Sequence, residues 1–287
     1  KVVDISGQKS LITIQPIGLV LGIMPWNFPF WQVFRFAIPT ITAGNSGILK
    51  HASNVQGCAA AIEKCFIDSG FPENIFRNLV IPGREVAAVI KNPLIAAITL
   101  TGSTPAGKSV AETAGSVLKK TVLELGGSDP YVVLDDADLT VATDACVTGR
   151  TLNAGQSCIG AKRIIVHESI YDSFLTQLEE KLSTKIMGDP LDEVDMGPMV
   201  SASARDEIHG QVERAIESGA DLRLGGQMPD GPGFYYPITL LANVTPGMAA
   251  FDEEIFGPVF SVIKAKDEAE ALSLANQTEF GLGAAVF

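Results

Sequence analysis

Short apolar runs alternate with helix-periodic stretches along most of this chain, and that order leaves few architectures open. Residues 17–24, 47–50, 75–81, 95–101, 131–134 and 163–167 are strand-like runs, while residues 55–69 and 105–114 carry helical spacing. A strand followed by a covering helix returns the next strand parallel to the first, so the expected fold class is α/β with mainly parallel sheets.

At 287 residues and 46% hydrophobic, the chain can fill one large or two ordinary domains. A helix-compatible segment ends at Leu125-Gly126-Gly127-Ser128-Asp129-Pro130, which sets a boundary between residues 16–126 and residues 127–287, with residues 1–15 apart. The net charge of -12, with no clustered Lys or Arg, excludes a nucleic-acid surface and points to a small-molecule partner. The longest apolar run, residues 17–30, is broken by Gly18, Gly22, Pro25, Asn27 and Pro29, so no membrane span is expected. No charged region leads into an apolar stretch at the start, so no secretory leader is expected either. The chain begins without Met and stops on an apolar stretch at residues 283–287, and reads as a piece of a longer protein.

Cys58, Cys65, Cys146 and Cys158 contain no C-x-x-C pair, which fits a reducing cytoplasm. Cys58 and Cys65 share a helical stripe with Ile62, and core packing is the expected role for them and for Cys146. His51, His167 and His209 are scattered, so no metal is expected.

Residues 102–109, Gly102-Ser103-Thr104-Pro105-Ala106-Gly107-Lys108-Ser109, satisfy the P-loop pattern directly after a strand, and Asp135 ends another apolar run. A P-loop nucleotide hydrolase is therefore a rival reading. Against it, Pro105 lacks the N–H that a phosphate cradle would aim inward. A glycine turn feeding a helix N-terminus is also a general pyrophosphate site, although G-x-G-x-x-G is absent.

Four stretches, Pro25-Trp26-Asn27-Phe28-Pro29, Leu123-Glu124-Leu125-Gly126-Gly127, Gly155-Gln156-Ser157-Cys158 and Glu253-Glu254-Ile255-Phe256-Gly257-Pro258, together resemble the aldehyde dehydrogenase superfamily in order and separation. Trp31-Gln32-Val33, Leu49-Lys50-His51-Ala52, Gly127-Ser128-Asp129-Pro130 and Gly188-Asp189-Pro190 look like its bacterial NAD(P)-dependent succinate-semialdehyde dehydrogenases. The resemblance implies a Rossmann-type cofactor domain, a catalytic α/β domain, missing segments at both ends, an oligomerisation strand near residues 9–16, and a homodimer or homotetramer of the full-length protein.

It also implies roles. Cys158 matches the family nucleophile, whose pKa must be lowered locally. Asn27 and the Cys158 backbone N–H match the oxyanion donors, and Glu124, flanked by Leu123 and Leu125, matches a base whose pKa an apolar setting would raise. For NADP or NAD, Glu254 matches the residue holding the nicotinamide ribose, beside Phe256. Trp26, Gly102 and Ser103 match the pyrophosphate region, and Lys50 the adenosine ribose. Ser53 stands where NAD-selective relatives carry a carboxylate, so rejection of a 2′-phosphate is missing, and a protonated His51 would attract one. Arg35 matches an arginine that binds the substrate's carboxylate, whereas Leu152 stands where some relatives have a second one. Three readings remain: an NAD(P)-dependent aldehyde dehydrogenase, a P-loop hydrolase, and an inactive relative.

Overall fold

The computed structural model describes residues 2–5 and 8–287, of which residues 2–5 and 8–10 are described by backbone alone. It divides into two compact units, Lys1–Leu125 and Gly126–Phe287.

In the first unit, β1 (Val2–Ile5) and β2 (Gln8–Leu11) form an antiparallel pair with Val2 opposite Leu11. The strand anticipated at residues 9–16 therefore stops at Leu11; residues 1, 6 and 7 of this N-terminal region lie outside the described residues. Next come β3 (Leu19–Met24), α1 (Trp31–Thr42), β4 (Ser46–His51), α2 (Gln56–Asp68), β5 (Phe76–Asn78), α3 (Val86–Lys91), β6 (Ile95–Thr101), α4 (Thr104–Gly115) and β7 (Lys120–Glu124). Five of these strands form a sheet in the order β5-β4-β3-β6-β7, and every neighbouring pair is parallel. Chain order thus runs outward in both directions from β3.

Helices cover both faces of this sheet. Val33, Phe36 and Ala37 of α1 pack with Ala59, Ile62 and Phe66 of α2 and with Leu49 and Phe76. Ile90 of α3 and Val110 and Ala114 of α4 pack with Leu21, Ile98 and Leu100. The expected packing of Cys58 and Cys65 is corrected here: Cys58 is half-buried and Cys65 exposed. Ala59, Ile62 and Phe66 hold the buried stripe, and each cysteine lies one residue, about 100° of helical turn, behind a member of it. The helix-compatible segment before Gly126 is corrected as well. The helix ends at Gly115, Leu118 turns the chain at φ 54°, and Lys120–Glu124 is an edge strand paired from Ala97↔Lys120 to Thr101↔Glu124, with the β-branched Thr121 and Val122 in its middle.

The second unit runs β8 (Asp129–Val133), α5 (Leu139–Thr151), β9 (Ala161–His167), α6 (Tyr171–Ser183), α7 (Ala202–Glu217), β10 (Asp221–Leu224), β11 (Thr239–Ala242), α8 (Ala249–Asp252), β12 (Val259–Ala265), α9 (Glu268–Asn276) and β13 (Ala285–Val286). Its sheet has the order β10-β11-β12-β9-β8-β13 and is parallel except for β10 with β11. Ala161 through Val166 of β9 are all buried, because β8 and β12 flank this strand and helices cover it. Phe174, Leu178 and Leu182 of α6 and Val212 and Ala215 of α7 join Ile164 and Val166 in one core. Cys146 of α5 belongs to that core, and burial pushes its thiol up to about 12, as befits an inert packing residue.

No helix is long and apolar enough to cross a membrane, and no cluster of three or more His, Cys, Asp or Glu is placed to hold a metal ion, both among the described residues.

Candidate active site

Open parallel sheets bind ligands outside the carboxyl ends of their strands, where the strand order reverses. In the first unit that place is set by β3 and β6. Trp26 and Asn27 follow the end of β3, Gly102 and Ser103 follow β6, Lys50 is next to last in β4, and Glu124 closes β7. Ser103 caps α4, its Oγ accepting from the Ala106 N–H at 3.5 Å, so a helix N-terminus opens at this edge. Ser53 is exposed at the start of a short 3-10 turn, Ser53–Val55, and no carboxylate occupies its position. Lys50 is half-buried, and desolvation lowers its pKa.

Arg35 projects from α1 and its Nη2 lies 3.4 Å from Glu124 Oε2, with the two side chains 44% and 39% exposed. The apolar setting expected for Glu124 is therefore absent within this unit: the carboxylate sits beside a guanidinium and partly in water. At that exposure the pair adds no more than about 1 kcal/mol to stability.

His51 departs from its expected role. It is fully buried at the end of β4, with Nε2 3.0 Å from Pro29 O and Nδ1 3.2 Å from Met24 O and 3.0 Å from the Ala52 N–H. Burial lowers its pKa, with Lys50 adding to the effect against the two carbonyls. It braces the loop that carries Asn27 and offers no charge to a phosphate. The P-loop reading is corrected too, because β6 and α4 are joined by Gly102 and Ser103 alone. The Gly102 N–H donates to Glu124 O and the Gly107 N–H to Ser103 O, so neither glycine N–H is left for a phosphate cradle.

In the second unit the nucleophile candidate follows a strained turn. Asn153, Ala154 and Gly155 have φ of 53°, 54° and 72°, three successive left-handed residues, two of them not glycine. Gln156 holds this turn, its side-chain amide donating to Asn153 O at 3.0 Å and its Oε1 accepting from the Val200 N–H at 2.8 Å. A Cβ on Gly155 would stand 2.2 Å from Gly257 O, so this loop and the loop after Phe256 meet backbone to backbone. Gly155→Ala is expected to cost about 2–4 kcal/mol through overpacking and left-handed strain, read as a fall in the denaturation midpoint. A loss below about 1 kcal/mol would contradict this close approach.

Cys158 lies half-buried beyond the turn. Burial pushes its thiol up, Lys162 pulls it down and Glu254 pushes it up, with a net upward direction. The lowering that the resemblance implies is thus opposed here by desolvation. Glu254 Oε1 accepts from the Gly127 N–H at 3.1 Å and from Lys162 Nζ at 2.5 Å. A Cβ on Gly126 would stand 2.1 Å from Glu254 Oε2, so only glycine admits this carboxylate. Glu253, by contrast, is exposed and paired with Arg214 at 2.8 Å.

Lys162 is absent from the expected site residues, yet its side chain is 2% exposed. Nζ donates to Gly127 O at 2.5 Å, to Cys158 O at 2.9 Å and to Glu254, and lies 5.5 Å from the centre of the Phe256 ring. The available signal was the pair Lys162-Arg163 directly before the apolar run Ile164-Ile165-Val166. Arg150 is fully buried, with Nε donating to Val259 O and Nη2 to Ile255 O, both at 2.6 Å, and burial pulls its pKa down to about 9. It fixes the segment bearing Glu254 and Phe256, while Leu152 is exposed.

The whole chain, residues 1–287, matches the model of the aldehyde dehydrogenase family. It is 50% identical over 280 residues to the succinate-semialdehyde dehydrogenase, NADP(+), of Mycobacterium avium, covering 97% of this chain and 59% of that protein. It is also 50% identical over 284 residues to the succinate semialdehyde dehydrogenase, NAD(P)+, of Escherichia coli, covering 99% and 62%. The crystal structure of succinic semialdehyde dehydrogenase from Streptococcus pyogenes in complex with NADP+ matches with a TM-score of 0.97 at 36% identity, covering 100% of this chain and 63% of that one. The chain therefore spans less than two thirds of the length of these relatives.

Proposed function

Because this chain belongs to the aldehyde dehydrogenase family, we propose that the full-length protein oxidises succinate semialdehyde to succinate and reduces NADP+, with NAD+ as an alternative acceptor. The observation that carries this reading is the convergence, in the second unit, of Cys158, Gly127 and Glu254 on one buried ammonium. An α/β core has no use for a buried ammonium that ties the backbone carbonyl of a half-buried cysteine to a carboxylate bedded on glycines.

In this reading the Cys158 sulfur, deprotonated, forms a bond to the aldehyde carbon as the carbonyl π pair moves to oxygen. The Asn27 amide and the Cys158 N–H donate to that oxyanion, and loss of one such donor costs roughly 100- to 1000-fold in rate. The adduct expels hydride and becomes a thioester. Glu124 then takes a proton from water, hydroxide adds to the acyl carbon, and the tetrahedral species collapses to carboxylic acid and thiolate. Arg35 holds the distal carboxylate, which sets substrate charge and the Glu124 carboxylate in competition for one guanidinium.

Bound dinucleotide supplies the hydride acceptor. Glu254 fits a ribose diol, since a partly exposed carboxylate accepts from hydroxyls and this one is held in place by protein donors at one oxygen, with Gly126 admitting it. Phe256 flanks it in sequence. Ser103 at the N-terminus of the 12-residue α4, with Trp26, fits a pyrophosphate, Gly102 contributing an absent side chain since its N–H is held by Glu124 O, and Lys50 fits the second ribose. The hydroxyl of Ser53 leaves a 2′-phosphate unrepelled, which supports NADP+. Leu11, Ile14 and Ile17 are exposed apolar side chains that support assembly into a homodimer or homotetramer, and four free thiols support a cytoplasmic setting.

The test is growth of reduced-cofactor absorbance when full-length protein meets succinate semialdehyde and NADP+. Glu124→Gln is expected to keep the first burst and slow steady turnover by about 100- to 10,000-fold, as loss of a general base does. Equal loss of burst and turnover would contradict the assignment of Glu124 to deacylation.

A further inference from the structure

Lys162 belongs to a strand whose residues from Ala161 to Val166 are buried, where an ammonium is costly unless compensated. Its compensation is complete, since an ammonium has three N–H donors and here finds three acceptors: Gly127 O, Cys158 O and Glu254 Oε1. Those acceptors come from three separate segments, one before β8, one before β9 and one after α8. Buried ion pairs seldom repay their desolvation, and an apolar side chain of similar volume would serve the core as well. The ammonium therefore has a reason beyond stability.

We propose that Lys162 is a positioning residue: it anchors one oxygen of Glu254, fixing the orientation of that carboxylate, and clamps the Cys158 carbonyl, so that cofactor carboxylate and nucleophile are held in one register. The inference rests on the roles given above to Cys158 and Glu254. The charges facing Lys162 are Glu254, Asp129 and Arg150; those facing Cys158 are Lys162 and Glu254. Removing the ammonium leaves Glu254 as the charge acting on the thiol, unopposed, and leaves the carboxylate held at Oε1 by the Gly127 N–H in place of two donors.

Two measurements on the full-length protein test this without turnover. One is the Kd for NADP+ by fluorescence titration. The other is the pH profile of Cys158 alkylation by iodoacetamide, with the modified peptide identified by mass spectrometry. Lys162→Met is expected to raise the Kd about 10-fold, the effect of one lost charge-assisted hydrogen bond, and to move the alkylation midpoint up by about one pH unit. Lys162→Arg, which keeps the charge, is expected to restore the midpoint while the Kd stays raised. A folded Lys162→Met protein in which either quantity equals that of the wild type overturns the shared register. Should Lys162→Met fail to fold, Lys162→Arg decides: a wild-type midpoint with a raised Kd supports the proposal, and any other combination overturns it. Wild-type protein that binds NADP+ yet oxidises no aldehyde would sink the proposed function, while both readouts would still judge Lys162.

Discussion

Cys158→Ala in the full-length protein is expected to abolish aldehyde-dependent cofactor reduction, by on the order of a million-fold, the scale on which a covalent nucleophile contributes. Its melting temperature should stay near that of the wild type, because the side chain is half-buried and its loop is held by Gln156 and Lys162 through other atoms. Substitution of the exposed Cys65 should leave activity unchanged. Steady turnover surviving in Cys158→Ala would remove the thiol from the chemistry and with it the whole reaction scheme.

Arg150→Met should cause the largest loss of stability. Methionine approximates the packing of the aliphatic stem, but Ile255 O and Val259 O lose donors at 2.6 Å inside a dry core. Two buried carbonyls that each lose a donor, at about 1–3 kcal/mol each, give a loss of roughly 2–6 kcal/mol, which corresponds to a fall of about 4–24 °C in the melting temperature. The segment bearing Glu254 and Phe256 should gain amide-exchange rate beyond the rest of the unit, since Arg150 ties its backbone to α5. A loss under about 1 kcal/mol would mean that the two carbonyls find other donors.

The parallel α/β order was legible because strands buried on both faces leave continuous apolar runs, as residues 95–101 do for Ile95–Thr101. The helix Trp31–Thr42 was not, since Pro39 and a dense set of aromatics obscure its period. The edge strand Lys120–Glu124 hid for a related reason: half-exposed, it shows no apolar run, and only pairing with β6 defines it. At the candidate site, the types and order of Cys158, Asn27, Glu124 and Glu254 were readable, because motifs are local. Their surroundings were not. That His51 is sealed between carbonyls, that Glu124 meets Arg35, and that Lys162 joins three segments are facts of tertiary contact between residues up to 92 positions apart.

The proposed reaction passes an acyl group through one sulfur. Glu124→Gln full-length protein, mixed with succinate semialdehyde and NADP+, quenched in acid within the burst and digested, should yield the peptide containing Cys158 carrying one succinyl thioester. No acylated peptide, or acylation at Cys58, Cys65 or Cys146 with Cys158 unmodified, would contradict it.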